Sequence, residues 1–469
     1  MIKVENPLLQ HKIEQVYELS QDHIFRFWDR LDKKSRDQLL QQVGDIDFDL
    51  LEHFILKSRE PVSTDKYDLQ PAPVISLSER EQKDPEALAV GEDYLFKGKM
   101  AAFLVAGGQG TRLGFDGPKG IFPVTPVKKK SLFQLHAEKI RALSLHYQIS
   151  LPWYIMTSQA NNEETLHFFK KNKYFGLSPN DVFFLVQQMV PAIDRKGNLI
   201  LDAPDHLFMN PNGHGGSLKA LWDSGAIKDI QKRGIQTVFY FQVDNVQTKI
   251  CDPAYVGYHI LHNSEMSNKV VRKSYPEEKM GVLCLINSKL GLVEYSDLAE
   301  TEMYMKEREG GLKFWAGNIA THILEVSFII RENEGGFHLP YHIAEKSIPF
   351  VNENGDIVQP DNKNGIKFET FIFDALPDAE NTVSIEVDRR EEFSALKNKD
   401  GESSPHTVRI DLNNTYAGWL EKAGYRIKRG PDGEVIPNIE ISPLCALSAD
   451  DLKGKNLDFD SDAEEIYIE

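Results

Sequence analysis

The stretch of this chain that most limits its possible folds is residues 99–119, KMAAFLVAGGQGTRLGFDGPK. It begins with an apolar run, MAAFLVA, of the kind that forms a buried strand in a parallel sheet. Four glycines follow the run, at Gly107, Gly108, Gly110 and Gly114. Glycine permits positive φ and a close approach of the backbone, so successive N–H groups can point at phosphate oxygens. A strand followed by such a loop favours a site for a nucleoside triphosphate.

Two cations and a helix start complete this segment. Arg112 lies inside the glycine loop, and Lys119 follows Pro118, which restricts the backbone before it. Ser131 and Gln134 have the spacing of a capping box, which predicts a helix over LFQLHAEKIRAL. The alternative is a glycine-rich turn that binds nothing, and it would leave the two cations without an evident purpose.

The spacing of the glycines excludes two common nucleotide motifs. A dinucleotide fingerprint needs GxGxxG, whereas this loop has Gly108, Gly110 and Gly114 with an arginine between the last two. A P-loop needs GxxxxGK followed by Ser or Thr, whereas Lys119 is followed by Gly120. A nicotinamide dehydrogenase and a P-loop enzyme are therefore disfavoured.

Length and charge restrict the function further. A chain of 469 residues is too long for one compact core, so two or three domains are expected. The formal net charge of -17 disfavours a broad nucleic-acid surface, although it allows a basic pocket. No run of about 18 apolar residues is present, and the N-terminus lacks the apolar core of a signal peptide. The three cysteines match no zinc spacing, so we expect reduced thiols in a cytoplasmic protein.

Hydrophobic periodicity divides the chain into three regions. Residues 1–95 form an N-terminal region that is helical up to about residue 60 and then irregular between Glu60 and Pro85. Residues 96–390 alternate apolar strands with amphipathic helices, which predicts an α/β catalytic core with a mixed, mainly parallel sheet. Residues 391–469 predict a small, partly β C-terminal domain ending in an acidic, solvated tail. Predicted strands include 153–157, 182–186, 237–243 and 280–286, and predicted helices include 163–171, 217–228 and 253–263.

Polar residues follow several of the predicted strands, where α/β sheets gather their ligands. Asp244 closes the apolar run TVFYFQV, which suits a carboxylate that holds Mg²⁺ against phosphates; a turn or helix-capping aspartate is the alternative. His214 lies in a second glycine-rich turn, NPNGHGG, and a ligand contact is favoured over a structural role. Glu294 and Asn318 could supply the acceptor and mixed donor/acceptor that sugar hydroxyls need, although neither is specific alone, because a surface glutamate and a turn asparagine are common. Lys397 alone would be taken for a solvated lysine.

Together these motifs resemble those of the uridylyltransferases that join UTP to a sugar 1-phosphate. The most similar are the eukaryotic-type UDP-N-acetylglucosamine pyrophosphorylases. The resemblance covers nearly the whole chain in order, through LVAGGQGTRLGFDGPKG, MTSQ, QQMVPA, NGHGG, VDN, VVRK, VEYSD, AGNIA, NGIKFETFIFD and EFSALKN. It implies a Rossmann-like nucleotidyltransferase core between an N-terminal domain and a smaller C-terminal domain.

The resemblance also implies a role for each matching position. A first group would wrap and neutralise the triphosphate: Gly107, Gly108, Gly110, Thr111, Arg112 and Lys119. Gln187 and Gly213 would bind the uracil edge, and Asp244 would bind Mg²⁺ as the cofactor. Gly281, Glu294 and Asn318 would line the sugar pocket, while Lys397 would reach the phosphates. The implied reaction is attack of the sugar 1-phosphate on the α-phosphorus of UTP, which gives a UDP-sugar and pyrophosphate.

One departure leaves the sugar open. Where UDP-N-acetylglucosamine pyrophosphorylases have Gly-Asn-Gly-Gly, this chain has His214 after Gly213, as in enzymes that make UDP-glucose. AGNIA and VEYSD favour the N-acetylglucosamine branch. The alternatives are a UTP–glucose-1-phosphate uridylyltransferase and, from another class, a nucleotide-sugar-binding protein that no longer turns over. The complete charged set, Arg112, Lys119, Asp244 and Lys397, favours an enzyme.

Overall fold

The computed structural model describes residues 1–60, 68–308 and 310–469. The α-helices, in chain order, are α1 (Pro7–Glu18), α2 (Lys33–Asp45), α3 (Phe48–Lys57), α4 (Leu77–Phe96), α5 (Leu132–Tyr147), α6 (Asn162–Lys171), α7 (Gly216–Asp223), α8 (Ala226–Lys232), α9 (Pro253–Leu261), α10 (Glu300–Met303), α11 (Val326–Arg331), α12 (Arg389–Glu392) and α13 (Pro405–Lys422). Short 3₁₀ turns lie between several of them.

The strands are mostly short. They are β1 (Leu69–Pro71), β2 (Met100–Val105), β3 (Trp153–Thr157), β4 (Val182–Val186), β5 (Met189–Pro191), β6 (Ile193–Asp194), β7 (Leu201–Ala203), β8 (His206–Leu207), β9 (Met209–Pro211), β10 (Thr237–Gln242), β11 (Met266–Arg272), β12 (Val282–Ile286), β13 (Lys289–Val293), β14 (Ala316–Glu325), β15 (His342–Lys346), β16 (Phe350–Val351), β17 (Ile357–Val358), β18 (Gly365–Glu369), β19 (Thr382–Glu386), β20 (Asn438–Ile441) and β21 (Glu465–Ile468).

The described residues contain one large mixed sheet of ten strands. Its central run is β10–β2–β3–β4, and each of these pairs is parallel. On the other side of β10 the sheet continues antiparallel through β14 to β12 and β1, while β11 pairs with β14 and β19. Every residue of β3, and five of the six in β2, is buried, as expected for strands covered on both faces. The predicted α/β fold with a mixed sheet is confirmed.

The chain divides into two compact units. One contains the described residues of Met1–Lys66 together with Gln187–Gly216 and Leu339–Ile372; helices α1–α3 and the sheet β15–β18–β6 share its hydrophobic core. The other contains the described residues of Tyr67–Val186, Ser217–His338 and Phe373–Glu469, with the large sheet. The three consecutive domains expected from the sequence, 1–95, 96–390 and 391–469, stay a prediction.

Three local predictions were wrong. The segment between Glu60 and Pro85 is not irregular throughout: α4 begins at Leu77 and runs through Pro85, because the Ser76–Glu79 capping box and packing against α9 outweigh the lost hydrogen bond. Residues 61–67 of that segment lie outside the described residues. The predicted helix 217–228 is two helices, since Gly225 takes a φ of +76° between them. The acidic tail is not free, because β21 pairs with β20 and buries Ile466.

The other predicted strands and helices are present within one or two residues of the expected bounds, except that α5 extends four residues beyond the predicted LFQLHAEKIRAL, to Tyr147. The Ser131 hydroxyl caps α5 by accepting the Gln134 N–H, but the Gln134 side chain binds Glu138, so the capping box is half formed. Within the described residues, every helix is too short or too polar to span a bilayer.

Helices α4 and α9 of the second unit cross at two glycines. A Cβ on Gly91 would lie 1.7 Å from the Pro253 carbonyl oxygen, and a Cβ on Gly257 would lie 1.7 Å from the Ala87 carbonyl oxygen. The two backbones therefore touch directly, and neither position has room for a methyl group. The loop between β10 and α9, residues 243–251, contains Asp244 and is named the Asp244 loop. Because α9 begins at the Asp252 cap directly after this loop, the crossing fixes the helix that follows it.

We predict that Gly257→Ala lowers the free energy of unfolding by about 1–3 kcal/mol, because the backbones must separate to admit the methyl group. Gly418→Ala is the matched control: Gly418 also lies inside a helix, α13, but nothing is within 4 Å of its Cβ position. That variant should be stabilised by up to about 1 kcal/mol. Urea denaturation compares the two, and equal stabilisation of both would show that the crossing is not tight.

Candidate functional site

The glycine loop after β2 folds back on itself as a short antiparallel ladder. The Lys119 N–H donates to the Gly108 carbonyl at 3.1 Å, and the Gly110 N–H donates to the Gly117 carbonyl at 2.9 Å. Gln109 and Pro118 pair between them. This register returns Lys119 to the carboxyl end of β2, next to Gly108. The residues from Gly107 to Gly110 and the cation predicted to act with them are therefore brought together.

Asn161 forms hydrogen bonds to the backbone of the glycine loop. It is fully buried, and its side-chain amide donates to the Ala106 carbonyl at 3.0 Å and the Gly108 carbonyl at 3.3 Å. Its Oδ1 accepts the Ser158 N–H. These hydrogen bonds fix the residue that follows β2 and the second glycine of the loop. Asn161, two residues after the MTSQ motif, was not among the residues predicted from the sequence.

Asp244 faces the same loop. The Lys119 ammonium lies 3.4 Å from its Oδ2, and the two side chains are 18% and 11% exposed. A partly buried pair such as this is screened less by salt than a surface pair. Arg112 and Thr111 lie on an exposed 3₁₀ turn, Thr111–Leu113, and the Lys399 side chain lies near Gly114. Lys399 is thus a further cation near the glycine loop, and it was not predicted from the sequence.

The Asp244 loop is paired with the segment that leads to Lys397. The Leu396 N–H donates to the Asp244 carbonyl at 2.9 Å, and Asn245 forms a β-bridge with Ala395. Asn245 strengthens this pairing, since its Oδ1 accepts the Ser394 N–H and its amide donates to the Glu392 carbonyl. Asp244 and Lys397 are 153 residues apart in the chain, yet their backbones lie on adjacent segments.

Helix α5 holds the other side of the Asp244 loop. His136 Nε2 lies 3.1 Å from the Val243 carbonyl, and Lys139 Nζ donates to the Val246 and Thr248 carbonyls at 2.7 and 2.9 Å. Burial lowers the pKa of His136 to about 3, so the ring is neutral and carries its hydrogen on Nε2. Burial also lowers the pKa of Lys139 to about 7. The helix after the glycine loop thus contacts the carbonyls on both sides of Asp244.

The three residues predicted for the sugar are also brought together. Continuing the β12–β13 register places Gly281 opposite Glu294, and the Asn318 N–H donates to the Gly281 carbonyl at 2.9 Å. Asn318 Oδ1 accepts the Ala320 N–H at 2.9 Å, so the amide nitrogen is the donor end of this side chain. A Cβ on Gly281 would lie 2.6 Å from the Leu292 side chain, so a larger residue there would have to displace that side chain. The backbones of the three residues are therefore adjacent, and a carboxylate and an amide are the kinds of group that sugar hydroxyls require.

Gln187, Gly213 and His214 form a separate cluster within the first unit. Gln187 Nε2 donates to the Gly213 carbonyl at 2.5 Å. His214 Nδ1 accepts the Ile372 N–H, and the ring packs against Phe371 at 5.3 Å between centroids. Burial, followed by the charge of His342, lowers the pKa of His214 to about 4. His214 is therefore neutral near pH 7, with its ring hydrogen on Nε2.

The possible metal ligands are few. Within the described residues, no three His, Cys, Asp or Glu side chains lie close enough together to hold a metal ion by themselves. A metal ion bound by Asp244 would thus have one protein carboxylate, at the carboxyl end of β10, and would need its other ligands from substrate and water.

The known proteins to which this chain is similar are named as uridylyltransferases or as pyrophosphorylases of UDP-sugars. A family model described as UTP--glucose-1-phosphate uridylyltransferase matches residues 50–410. The UDP-N-acetylglucosamine pyrophosphorylase of Saccharomyces cerevisiae is 34% identical over 470 residues, which cover 94% of this chain and 96% of that protein. UDP-N-acetylhexosamine pyrophosphorylase-like protein 1 of Homo sapiens is 34% identical over 467 residues, 92% of each chain. The UDP-N-acetylglucosamine pyrophosphorylase of Trypanosoma brucei, solved with an inhibitor, has a TM-score of 0.83 at 26% identity and covers 100% of this chain and 99% of its own.

We predict that Asn245→Ala loosens the pairing between the Asp244 loop and residues 392–396. Backbone groups that Asn245 satisfies would lose their partners, which costs about 1–3 kcal/mol for each buried group. The amide hydrogens of Ser394 and Leu396 should exchange with solvent at least about tenfold faster, as measured by hydrogen–deuterium exchange. Asn414→Ala, at an exposed asparagine of α13, should leave that exchange unchanged. If the amide hydrogens of Ser394 and Leu396 exchange at the same rate in both variants, Asn245 does not stabilise this pairing.

Proposed function

Because the chain belongs to the UTP–glucose-1-phosphate uridylyltransferase family, we propose that it condenses UTP with N-acetylglucosamine 1-phosphate to give UDP-N-acetylglucosamine and pyrophosphate. The relatives that match nearly its whole length are named for the acetylated sugar, which favours this substrate over glucose 1-phosphate. The observation that carries the proposal is the return of the glycine loop, which brings Lys119 within 3.4 Å of Asp244. Three free cysteines support a reducing, cytoplasmic location.

The first obstacle to this reaction is repulsion between two anions. Two unit charges about 4 Å apart repel by roughly 4 kcal/mol at an effective dielectric constant near 20, and phosphates carry more than one charge. Arg112, Lys119 and Lys397 are the cations that offset this repulsion. The glycine backbone of residues 107–110 adds N–H groups without side chains in the way. The triphosphate is thereby bound and oriented before any bond changes.

The reaction needs no covalent intermediate on the protein. An oxygen of the sugar phosphate attacks the α-phosphorus of UTP, and the bond from that phosphorus to the α,β-bridging oxygen breaks. The electron pair leaves with pyrophosphate, so negative charge grows on the leaving group. Lys119 is held at the loop by its backbone hydrogen bond to Gly108, which suits it to stabilise that charge. Positioning and electrostatics supply most of the catalysis.

The chain's residues fit Mg²⁺ as the cofactor. Asp244 presents one carboxylate with no competing cluster among the described residues, and Mg²⁺ in nucleotide sites takes one or two carboxylates and completes its shell with phosphates and water. When bound, Mg²⁺ supplies a Lewis acid that neutralises phosphate charge. Asn245 and the α5 contacts hold the Asp244 backbone for this purpose.

The sugar would bind at Gly281, Glu294 and Asn318. The Glu294 carboxylate accepts from sugar hydroxyls and the Asn318 amide donates to hydroxyl or acetyl oxygens. His214 is the observation that favours the second candidate, glucose 1-phosphate, because the relatives with the acetylated sugar typically have asparagine there. Neutral His214, with its hydrogen on Nε2, is nevertheless a hydrogen-bond donor in type, as an asparagine amide is.

We predict that pyrophosphate release from UTP and Mg²⁺ is at least about tenfold more efficient, in kcat/KM, with N-acetylglucosamine 1-phosphate than with glucose 1-phosphate. The two sugars should be measured in parallel, with His214→Asn beside the wild-type protein. If glucose 1-phosphate is preferred and the variant reverses the preference, His214 sets the sugar. If no pyrophosphate is released with these two sugars or with any other sugar 1-phosphate, the non-catalytic binding protein becomes the better interpretation.

We predict that Lys119→Ala and Arg112→Ala each lower kcat/KM by about 100-fold or more, because each removes a cation that offsets phosphate charge. Both variants should keep the wild-type melting temperature within a few degrees. Lys232→Ala removes an exposed lysine from the end of α8 and should leave kcat/KM unchanged. Wild-type turnover in both loop variants would overturn the roles assigned to them.

A further inference from the structure

The buried residue Asn212 touches Gln187, the side chain proposed to bind uracil. It lies in the first unit at the end of the two-stranded ladder β5–β9, in which Met189 pairs with Pro211. Continuing that register places Gln187 opposite Gly213 and Gln188 opposite Asn212. The Asn212 N–H accordingly donates to the Gln188 carbonyl at 3.2 Å. Side chains at the end of this ladder are thus positioned by backbone pairing.

The orientation of the Gln187 amide follows from its two neighbours. The Gly213 carbonyl is 2.5 Å away, and a carbonyl can only accept, so the Gln187 atom facing it is the amide nitrogen. The same nitrogen donates to Asn212 Oδ1 at 3.1 Å. Both hydrogens of Gln187 Nε2 are therefore used. A flipped amide would set its oxygen against two acceptor oxygens, which is repulsive.

This leaves Gln187 Oε1 as the part of the amide that can meet a ligand. Within the described residues, Gln187 Oε1 accepts no hydrogen bond, and it is not among the buried atoms closed to solvent. The Gly213 N–H, on the facing segment, likewise donates to no group in the part of the chain that the structure describes. The two together present one acceptor and one donor.

Asn212 is itself held firmly. It is fully buried, and its carbonyl accepts both the Thr370 N–H and the Thr370 hydroxyl at 2.8 Å. Gly213 has a φ of +83°, and a Cβ there would lie 2.2 Å from the Thr370 carbonyl. Neither residue can shift easily to accommodate a flipped Gln187 amide.

We propose that Asn212 is a positioning residue that makes the site select uracil over cytosine, by holding Gln187 with its acceptor oxygen toward the base. The inference rests on the proposed function, in which Gln187 and Gly213 bind the nucleobase. The edge of uracil presents two carbonyl acceptors around one donor, N3–H. Gln187 Oε1 accepts that N3–H, and the Gly213 N–H donates to a neighbouring carbonyl. Cytosine has a lone pair at N3, which meets an acceptor and is rejected.

The test compares kcat/KM for UTP and CTP, each with N-acetylglucosamine 1-phosphate, in the wild-type protein and in three variants. Asn212→Leu removes the acceptor that holds Gln187, and it should lower the UTP-to-CTP ratio at least about tenfold. Asn212→Ala tests the same loss without added bulk if the leucine variant folds poorly. Asn212→Asp keeps an acceptor oxygen toward Gln187 and should retain the wild-type ratio.

Asn210→Leu is the matched control. Asn210 is buried in the same ladder, paired with Val190, but its amide donates to the Phe368 carbonyl and does not touch Gln187. That variant should melt at a lower temperature and keep its UTP-to-CTP ratio. The inference is overturned if Asn212→Leu and Asn212→Ala keep the wild-type ratio, or if Asn210→Leu lowers the ratio as much as they do.

Direct binding separates this inference from the proposed function. If the wild-type protein releases no pyrophosphate, the proposed function fails, and calorimetric titration with UTP, CTP and 3-methyl-UTP then decides the inference alone. Preference for UTP over both others, reduced in Asn212→Leu, would still support it. Binding of 3-methyl-UTP as tightly as UTP would overturn it, since that base has no N3–H. Absence of binding by all three nucleotides would overturn both.

Discussion

The arrangement of the site depends on the backbone pairing between the Asp244 loop and residues 392–396. Asn245 completes this pairing, because a single buried amide satisfies both an N–H and a carbonyl of the opposite segment. Gln247 extends the connection, since its amide donates to the Arg390 carbonyl and to the Thr415 hydroxyl of α13. The C-terminal part of the chain is therefore attached to the loop that carries the carboxylate, and Lys397 is positioned by the same contacts.

Charge is prearranged in the same way. Lys119 and Asp244 neutralise each other in the protein, while neutral His136 contacts the carbonyl of the residue before Asp244. A side chain that is already held costs little conformational entropy when a ligand binds. In the proposed function, a phosphate bound near Lys119 would compete with Asp244 for the ammonium group and leave the carboxylate more available to a cation. This one ion pair would then couple anion and cation binding at the loop.

The predictable part of the site consists of residues whose roles depend on local backbone. The glycines after β2 and the carboxylate after β10 could be recognised because a strand end, a glycine loop and a polar residue are neighbours in the chain. Gly281, Glu294 and Asn318 could be assigned only through the family resemblance, and their proximity depends on the β12–β13 register. Asn161, Asn245 and Asn212 gave little signal, since an asparagine in a turn is common, and their partners are far away in sequence or hidden by packing.

Sequence alone therefore determined the class of the fold, the glycine loop, the charged set and the family, because each is written in residues that are close together or in a fixed order. Tertiary structure decided which of those residues meet. It carries α4 through Pro85 because the packing of α9 compensates for one lost hydrogen bond, and it orders the acidic C-terminus because β20 offers an unpaired edge. It also sets the orientation of the Gln187 amide. Long-range pairing of backbone groups makes these choices, and no local pattern of residues encodes the partner that a distant segment will supply.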